Sequence, residues 1–359
     1  MRPQIGELPT RHVRRSGETP SRWTVIAISV LVGAATFGIP NSFGIFFKPI
    51  QADLGGSRTI VSGVASLYIF VHSAVAVFWG WCTDRYGIRP VVLVGGVLMA
   101  TGALLTSRIG ELGQLYLTYG VVFALGAGAV YVPLMSNASG WFEGRRGLAL
   151  GMVASGAGLG TIFFPPIAER LVSLYGWRAA FAIIGILPLV VIIAGLPFLR
   201  TGPRNAGPAP SPRAGQEDTS GLQMSLGQAI RRRAFWVVFA MYVLGFLCLH
   251  MVYVHLVPRA TDAGVASEAA AVLVSLVGGF SIVGKLAGGA LAARIGGRLA
   301  FIAVMLLQSA AFVWLVLSYQ TWMFFPFAIA FGISYGGWMP LIPALAAQLF
   351  GARHLGAVF

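Results

Sequence analysis

The chain has 359 residues, of which 57% are apolar and 10% charged, with a mean hydropathy of +0.80. Soluble domains carry about 25% charged residues and disordered chains are poor in apolar ones, so both classes are excluded. The formal charge of +14 comes from 23 Arg and 2 Lys against 11 acidic residues. Those charges fall in short clusters between long apolar runs rather than along one hydrated face, which excludes a nucleic-acid surface and fits a multi-pass membrane protein.

Residues 1–22 read as a basic tail. A bilayer core of ~30 Å needs about 20 apolar residues per helix. Ten segments meet that length: Trp23–Phe47, Ile60–Trp81, Val91–Ser107, Leu115–Ser136, Leu148–Ala168, Arg178–Leu199, Phe235–Val257, Ala269–Ala293, Leu299–Ser318 and Trp322–Leu349. The first is too long for a signal-peptide core and lacks a clear cleavage site, so it is expected to be retained. A β-barrel would instead alternate apolar and polar residues over ~10-residue strands. Residues 23–199 thus form a six-helix bundle and residues 235–359 hold four more helices. Between them, residues 200–234 form a linker with Pro203, Pro208, Pro210 and Pro212, closing on Arg231-Arg232-Arg233, a topology anchor. With the N-terminus inside, 18 basic residues fall on the inner side and 6 on the outer, while Lys285 lies within a helix. The positive-inside rule therefore places the N-terminus in the cytoplasm. Two cysteines make no disulfide framework. The excess of Arg over Lys, with abundant Ala and Gly, fits a GC-rich bacterial genome, hence a bacterial inner membrane.

The second and eighth helices end on matching segments. Gly80-Trp81-Cys82-Thr83-Asp84-Arg85-Tyr86-Gly87-Ile88-Arg89 and Gly289-Ala290-Leu291-Ala292-Ala293-Arg294-Ile295-Gly296-Gly297-Arg298 both read G-x3-[D/A]-R-x-G-x-R, 209 residues apart. Such repeats build many secondary transporters. The glycines permit a tight turn and close helix approach, and the arginines hold the loop at an anionic surface. Asp84 can cap a helix N-terminus electrostatically, whereas the second copy has Ala293. Gly80, Asp84, Arg85, Gly87 and Arg89 are therefore expected to govern conformational switching.

This pattern resembles the loop signature of the major facilitator superfamily. Gly38-Ile39-Pro40-Asn41-Ser42-Phe43-Gly44-Ile45-Phe46-Phe47-Lys48 resembles the first-helix motif of the monocarboxylate transporters. So do Trp141-Phe142-Glu143-Gly144-Arg145-Arg146-Gly147-Leu148-Ala149-Leu150-Gly151 and the small residues Ala154 to Gly158. His255-Leu256-Val257-Pro258 and Ser281-Ile282-Val283-Gly284-Lys285 are similar to the bacterial branch, and the oxalate/formate antiporters share much of this. The resemblance spans the whole chain. It implies an all-α polytopic membrane protein of the major facilitator fold, two helical bundles of inverted repeats, with ten of the usual twelve transmembrane helices present. Leu349 to Phe359 resembles the run into an eleventh helix, so the sequence is expected to be truncated there.

Ionisable residues deep in a membrane default to functional hypotheses. Asp and Glu are absent from the middle of the ten segments. Lys285 lies about eight residues, ~12 Å, from the inner end of its helix and is the expected carboxylate-binding cation. The resemblance implies an arginine here, and lysine gives up its bidentate fork. It also implies a carboxylate at Ser281 in proton-coupled members. Asn41 stands where several animal members carry a lysine; it can donate to a carboxylate or bond a neighbouring helix. Tyr131, Phe331 and Tyr335 are expected to wall the substrate, and His255 to face the outer mouth. His72 and His250 read as interhelical hydrogen-bond formers, and Gly126-Ala127-Gly128 and Gly156-Ala157-Gly158 as packing surfaces. No metal-ligand spacing, phosphate-binding loop or G-x-S-x-G motif occurs, so no cofactor, metal or enzymatic activity is expected. The resulting expectation is a secondary active transporter of small organic anions, monocarboxylates first, working by alternating access. Its partners are the anion, a coupled proton or counter-anion, and the bilayer. Oxalate/formate-type exchange, drug export by the same fold, and anion sensing without transport remain the alternatives.

Overall fold

A computed structural model of the chain describes residues 22–141, 146–199, 228 and 230–350, and among these every regular element is helical. The helices are α1 (Arg22–Asn41), α2 (Phe43–Leu54), α3 (Arg58–Tyr86), α4 (Ile88–Thr106), α5 (Leu112–Leu115), α6 (Ala124–Trp141), α7 (Arg146–Gly195), α8 (Arg233–Asp262), α9 (Ser267–Ile295), α10 (Gly297–Val316) and α11 (Phe324–Phe350). Nine stretches of the described residues are long and apolar enough to cross a membrane. One of them, Leu150–Gly195, has 46 residues, which at 1.5 Å per residue is about twice a bilayer core. It breaks at Gly176, whose φ of 78° and ψ of 163° are not helical. A side chain there would meet the steric penalty that glycine escapes. That stretch is therefore two crossings, and the nine become the ten expected. Many large apolar side chains, Phe70, Val77, Leu286 and Val316 among them, face outward, a surface that suits lipid and not water.

The tail 1–21, most of the expected linker, residues 142–145 of the Trp141–Gly151 motif and the final residues 351–359 lie outside the described residues. Two local irregularities were not expected. The first crossing turns at Ser42, two residues after Pro40, so it is two helices, α1 and α2. Pro40 has no N–H to donate, and the Ser42 hydroxyl donates to the Gly38 carbonyl at 2.7 Å. The fourth crossing contains a π-helical stretch, Tyr116–Phe123, between α5 and α6. It turns Tyr119 into a buried stack with Phe43, Tyr68 and Phe123, each at 5.2 Å.

Glycine lets the helices approach, as small residues do in membranes. A Cβ on Gly156 or Gly160 of α7 would overlap the backbone of Val30 or Ala34 in α1, and one on Gly126 of α6 would lie 2.5 Å from the Gly95 carbonyl of α4. On α9, Gly284 and Gly288 lie against Ile333 and Gly337 of α11, where Gly332 and Gly336 return the contact to Val277 and Ser281. The repeated segments also repeat in conformation. Gly87 and Gly296 both have φ of 85°, and each N–H closes its helix on the fourth carbonyl back at 2.9 Å. Gly55 and Gly264, again 209 apart, have φ of 73° and 85°. Close approach at Gly80 and Gly289 is not found: a Cβ at either meets nothing among the described residues.

Candidate functional site

The helices before and after residues 200–227 meet along two seams, α2 with α8 and α7 with α9. In the second, Ser275 donates to the Ile162 carbonyl at 2.7 Å. Gly278 sits on Thr161, and Ile282 on Gly158. Continuing this antiparallel register places position 285 opposite positions 154 and 155. In the first seam, Gly44 of α2 rides on the backbone of Tyr253 and Val254.

A polar cluster lies where these seams converge. Asn41 at the end of α1 donates to the Thr161 hydroxyl at 2.6 Å, and Thr161 donates to the Ala157 carbonyl at 2.8 Å. The Tyr253 hydroxyl of α8 lies against the side chains of Thr161 and of Tyr335 on α11. Tyr131 of α6 and Tyr242 of α8 are the electrostatic neighbours of Tyr335. Tyr131 is steadied by an edge-on contact with Phe37 at 4.8 Å. Thr161, Tyr253 and Tyr335 are all buried. Buried phenols seek hydrogen-bond partners, so a group of them makes a lining that can both donate and accept.

Lys285 is half-buried one turn beyond Ser281, which contacts Gly336 beside Tyr335. It makes no hydrogen bond or ion pair among the described residues. Among the described residues Ser281 bonds only back to Gly278, at 2.7 Å. Phe331 is fully buried between Phe327 and Phe312 and stacks behind Tyr335 at 6.4 Å, so it supports the wall rather than forming its face. His255 lies apart, 5.7 Å from the Phe47 ring and near Arg58. There the Asp262 carboxylate takes Lys48 at 2.6 Å and Arg58 at 2.7 Å. Asp53 pairs with Arg178 and accepts from the Trp177 indole at 3.0 Å. Thus Asn41, Tyr131 and Tyr335 come together, Lys285 stands one turn along, and His255 belongs to the Asp262 end of the bundle.

At the opposite end, Arg85 lies over Trp81 and Tyr86, 5.7 Å from each ring. Arg89 donates to the Leu199 and Pro197 carbonyls at 2.5 and 2.9 Å, closing the C-terminal turn that follows α7. Gly87 forms the turn between α3 and α4, with Asp84 in the last turn of α3.

Sequence reasoning missed Thr161, Tyr242 and Tyr253. The two tyrosines are eleven residues apart, three helical turns, and so share a face; that spacing was the available signal. It also missed Glu169. The helix continues past Ala168, and Glu169 is buried within it, electrostatically close to Glu268. Among the described residues His72 and His250 do not form the expected interhelical hydrogen bonds: His250 Nδ1 bonds the Phe246 carbonyl of its own helix at 2.9 Å, and the buried His72 Nε2 has no partner there. Among the described residues no three His, Cys, Asp or Glu side chains gather as a metal would require.

A sequence model described as Major Facilitator Superfamily matches residues 24–359. The chain is 30% identical over 281 residues to MFS-type transporter pytF of Aspergillus terreus, covering 76% of this chain and 90% of that protein. It is 30% identical over 282 residues to Monocarboxylate transporter 13 of Bos taurus, covering 77% of this chain and 63% of that protein. A crystal structure of a bacterial homolog to the human lysosomal transporter Spinster, inward-facing and unoccupied, superposes with a TM-score of 0.69 at 17% identity, covering 95% of this chain and 78% of that one.

Proposed function

We propose that this chain, which belongs to the Major Facilitator Superfamily, carries small organic anions, monocarboxylates first, by alternating access. Transport itself follows from the family. The anion reading rests on one observation: Lys285, at the seam of the two helix groups, has no carboxylate partner among the described residues. A lone ammonium in a low-dielectric wall favours an anion that brings the missing charge. Asn41 and the tyrosines beside it supply the donors that orient a carboxylate. The bovine relative, a monocarboxylate transporter by name, supports the same class.

The charge distribution of the sequence puts the N-terminus inside, which makes the Asp262 end the outer one. In that orientation the ion pairs at Asp262 join the two groups on the outside. The two groups would then rock about the tyrosine cluster to expose it to either side in turn.

A second reading, export of a cationic compound, has Glu169 in its favour, a buried carboxylate. It lies eight residues from Thr161, ~12 Å along α7, so the anion reading has the better-placed group. Counterflow tests both. Proteoliposomes loaded with unlabelled pyruvate should accumulate labelled pyruvate. Failure with pyruvate, lactate and oxalate alike, with accumulation of an organic cation, would overturn the anion reading.

A further inference from the structure

Lys48 of α2 and Arg58 of α3 both reach the Asp262 carboxylate of α8, Lys48 at one oxygen at 2.6 Å and Arg58 at the other at 2.7 Å. The two cations belong to one helix group and the carboxylate to the other. Contacts within their own group hold the cations in place. On α2, Phe43 stacks on Tyr119 at 5.2 Å and Phe46 meets Phe181 edge-on at 4.8 Å. Gly55 and Gly56, with φ of 73° and 90°, turn the chain directly from α2 to α3, and the Gln51 amide donates to the Gly56 carbonyl at 3.2 Å across that turn. The Tyr116 hydroxyl donates to the Ile60 carbonyl at 2.7 Å, which ties the first turn of α3 to the fourth crossing. Asp53, the one acid of α2, is already taken by Arg178 and the Trp177 indole.

Two like charges brought to one place repel, and the carboxylate between them makes the arrangement favourable. When the helix groups part on this side, Asp262 leaves with α8. Lys48 and Arg58 stay together on α2 and α3, with Asp53 committed elsewhere. What remains accepts a carboxylate with one cation on each oxygen, and charge-assisted hydrogen bonds of this kind are the strong ones. We infer that Lys48 and Arg58 form a capture site for the carboxylate of the incoming anion, and that Asp262 is a tethered stand-in for it. The anion takes the place of Asp262 on entry, and Asp262 returns once the anion has moved inward. One carboxylate replaces another on the same two cations, so the exchange costs little beyond the entropy of holding a free solute. Asn41 lies seven residues before Lys48, about 10 Å of helix, so an anion leaving the pair next meets the polar cluster, with Lys285 beyond. The inference rests on the anion reading and adds to it a second station at the mouth.

The test separates a capture site from a mere latch. Asp262→Asn opens the latch under either description, so the comparison is made within that background. Half-saturation is measured for labelled pyruvate presented on the Asp262 side of proteoliposomes that hold the full chain in one orientation. If the cations only latch the groups, they have nothing left to hold in Asp262→Asn, and a further substitution changes nothing. If they capture the anion, adding Lys48→Gln or Arg58→Gln should raise half-saturation by about two- to fivefold, the worth of one half-solvated ion pair. Adding Lys48→Arg should leave it within about twofold. Arg170→Gln removes an exposed cation of α7 and should have no effect. Should Asp262→Asn fail to insert, Asp262→Ser serves as the background. Unchanged half-saturation with both Lys48→Gln and Arg58→Gln overturns the inference, as does an equal rise with Arg170→Gln, which would reduce the effect to overall charge. In both of those outcomes the parent still exchanges pyruvate and the anion reading stands. Absence of exchange in the wild type with pyruvate, lactate and oxalate alike overturns the anion reading, and the capture site with it.

Discussion

The Asp262 carboxylate and the Lys48 ammonium meet at 2.6 Å across the seam between α8 and α2, and Arg58 of α3 takes the second carboxylate oxygen at 2.7 Å. The side chains remain 31% exposed for Asp262, 37% for Lys48 and 56% for Arg58. Each such half-solvated pair is worth about 0–1 kcal/mol. A closure this weak can be undone in every transport cycle. Asp262→Asn removes both pairs at once, up to about 2 kcal/mol together, and should therefore shift the population away from this arrangement by up to about 30-fold. Electron–electron distance measurements between spin labels at Ser57 and Ala266, in a background without Cys82 and Cys248, would report it. An unchanged distance distribution would show that the pairs do not hold this end together.

Lys285→Ala should weaken pyruvate binding by at least about 30-fold, the usual loss when one member of a buried charge pair is removed. The variant should still insert and run as a monodisperse species. Lys285→Arg keeps the charge and should keep binding within about tenfold. Half-saturating concentrations in counterflow decide this, and equal values for wild type and the alanine variant would remove Lys285 from the site.

Tyr253→Phe deletes the hydroxyl that lies between Thr161 and Tyr335. A hydrogen bond of this kind contributes about 0.5–1.5 kcal/mol, so half-saturation should rise about 2- to 12-fold. If Tyr253 only braces the helices, thermal stability will fall while half-saturation stays where it was.

Gly160 lies on the Ala34 backbone, whereas a Cβ on Gly151, on the same helix, meets nothing among the described residues. Gly160→Ala should destabilise by about 1–3 kcal/mol through overpacking. Gly151→Ala should be neutral or mildly stabilising, since alanine favours a helix interior. Thermal unfolding in one detergent compares them directly, and equal melting points would show that α1 and α7 separate without cost.

Hydropathy made the ten crossings legible, because a membrane helix must be apolar over its whole length whatever it packs against. Their ends moved by a few residues, and one such movement mattered: ending the fifth segment at Ala168 left Glu169 in a loop, when it is buried in a helix. The kink at Ser42 and the π-helical stretch were not legible, since both depend on how neighbouring helices accommodate one displaced residue. Asn41 was read as equally suited to a ligand or to a neighbouring helix, and Thr161 now supplies the neighbour. The tyrosine cluster was half visible. Tyr131 and Tyr335 were picked out, but Tyr253 became recognisable only once α8 was seen to bring its hydroxyl to Thr161. Hydropathy treats a phenol in a membrane helix as bulk and is blind to where its oxygen ends up.

Gly87 and Gly296 turn the chain with the same φ at corresponding places, and Gly55 and Gly264 do so at the other end. A backbone angle imposed this way belongs to the turn and owes nothing to the side chains nearby. Substitutions at corresponding positions should therefore report alike, and a scan of one helix group becomes a ruler for the other. Where the two readings diverge, the groups have taken on separate duties. Asp84 against Ala293 is the first place to look, since the turn is shared there and only one copy carries an acidic residue.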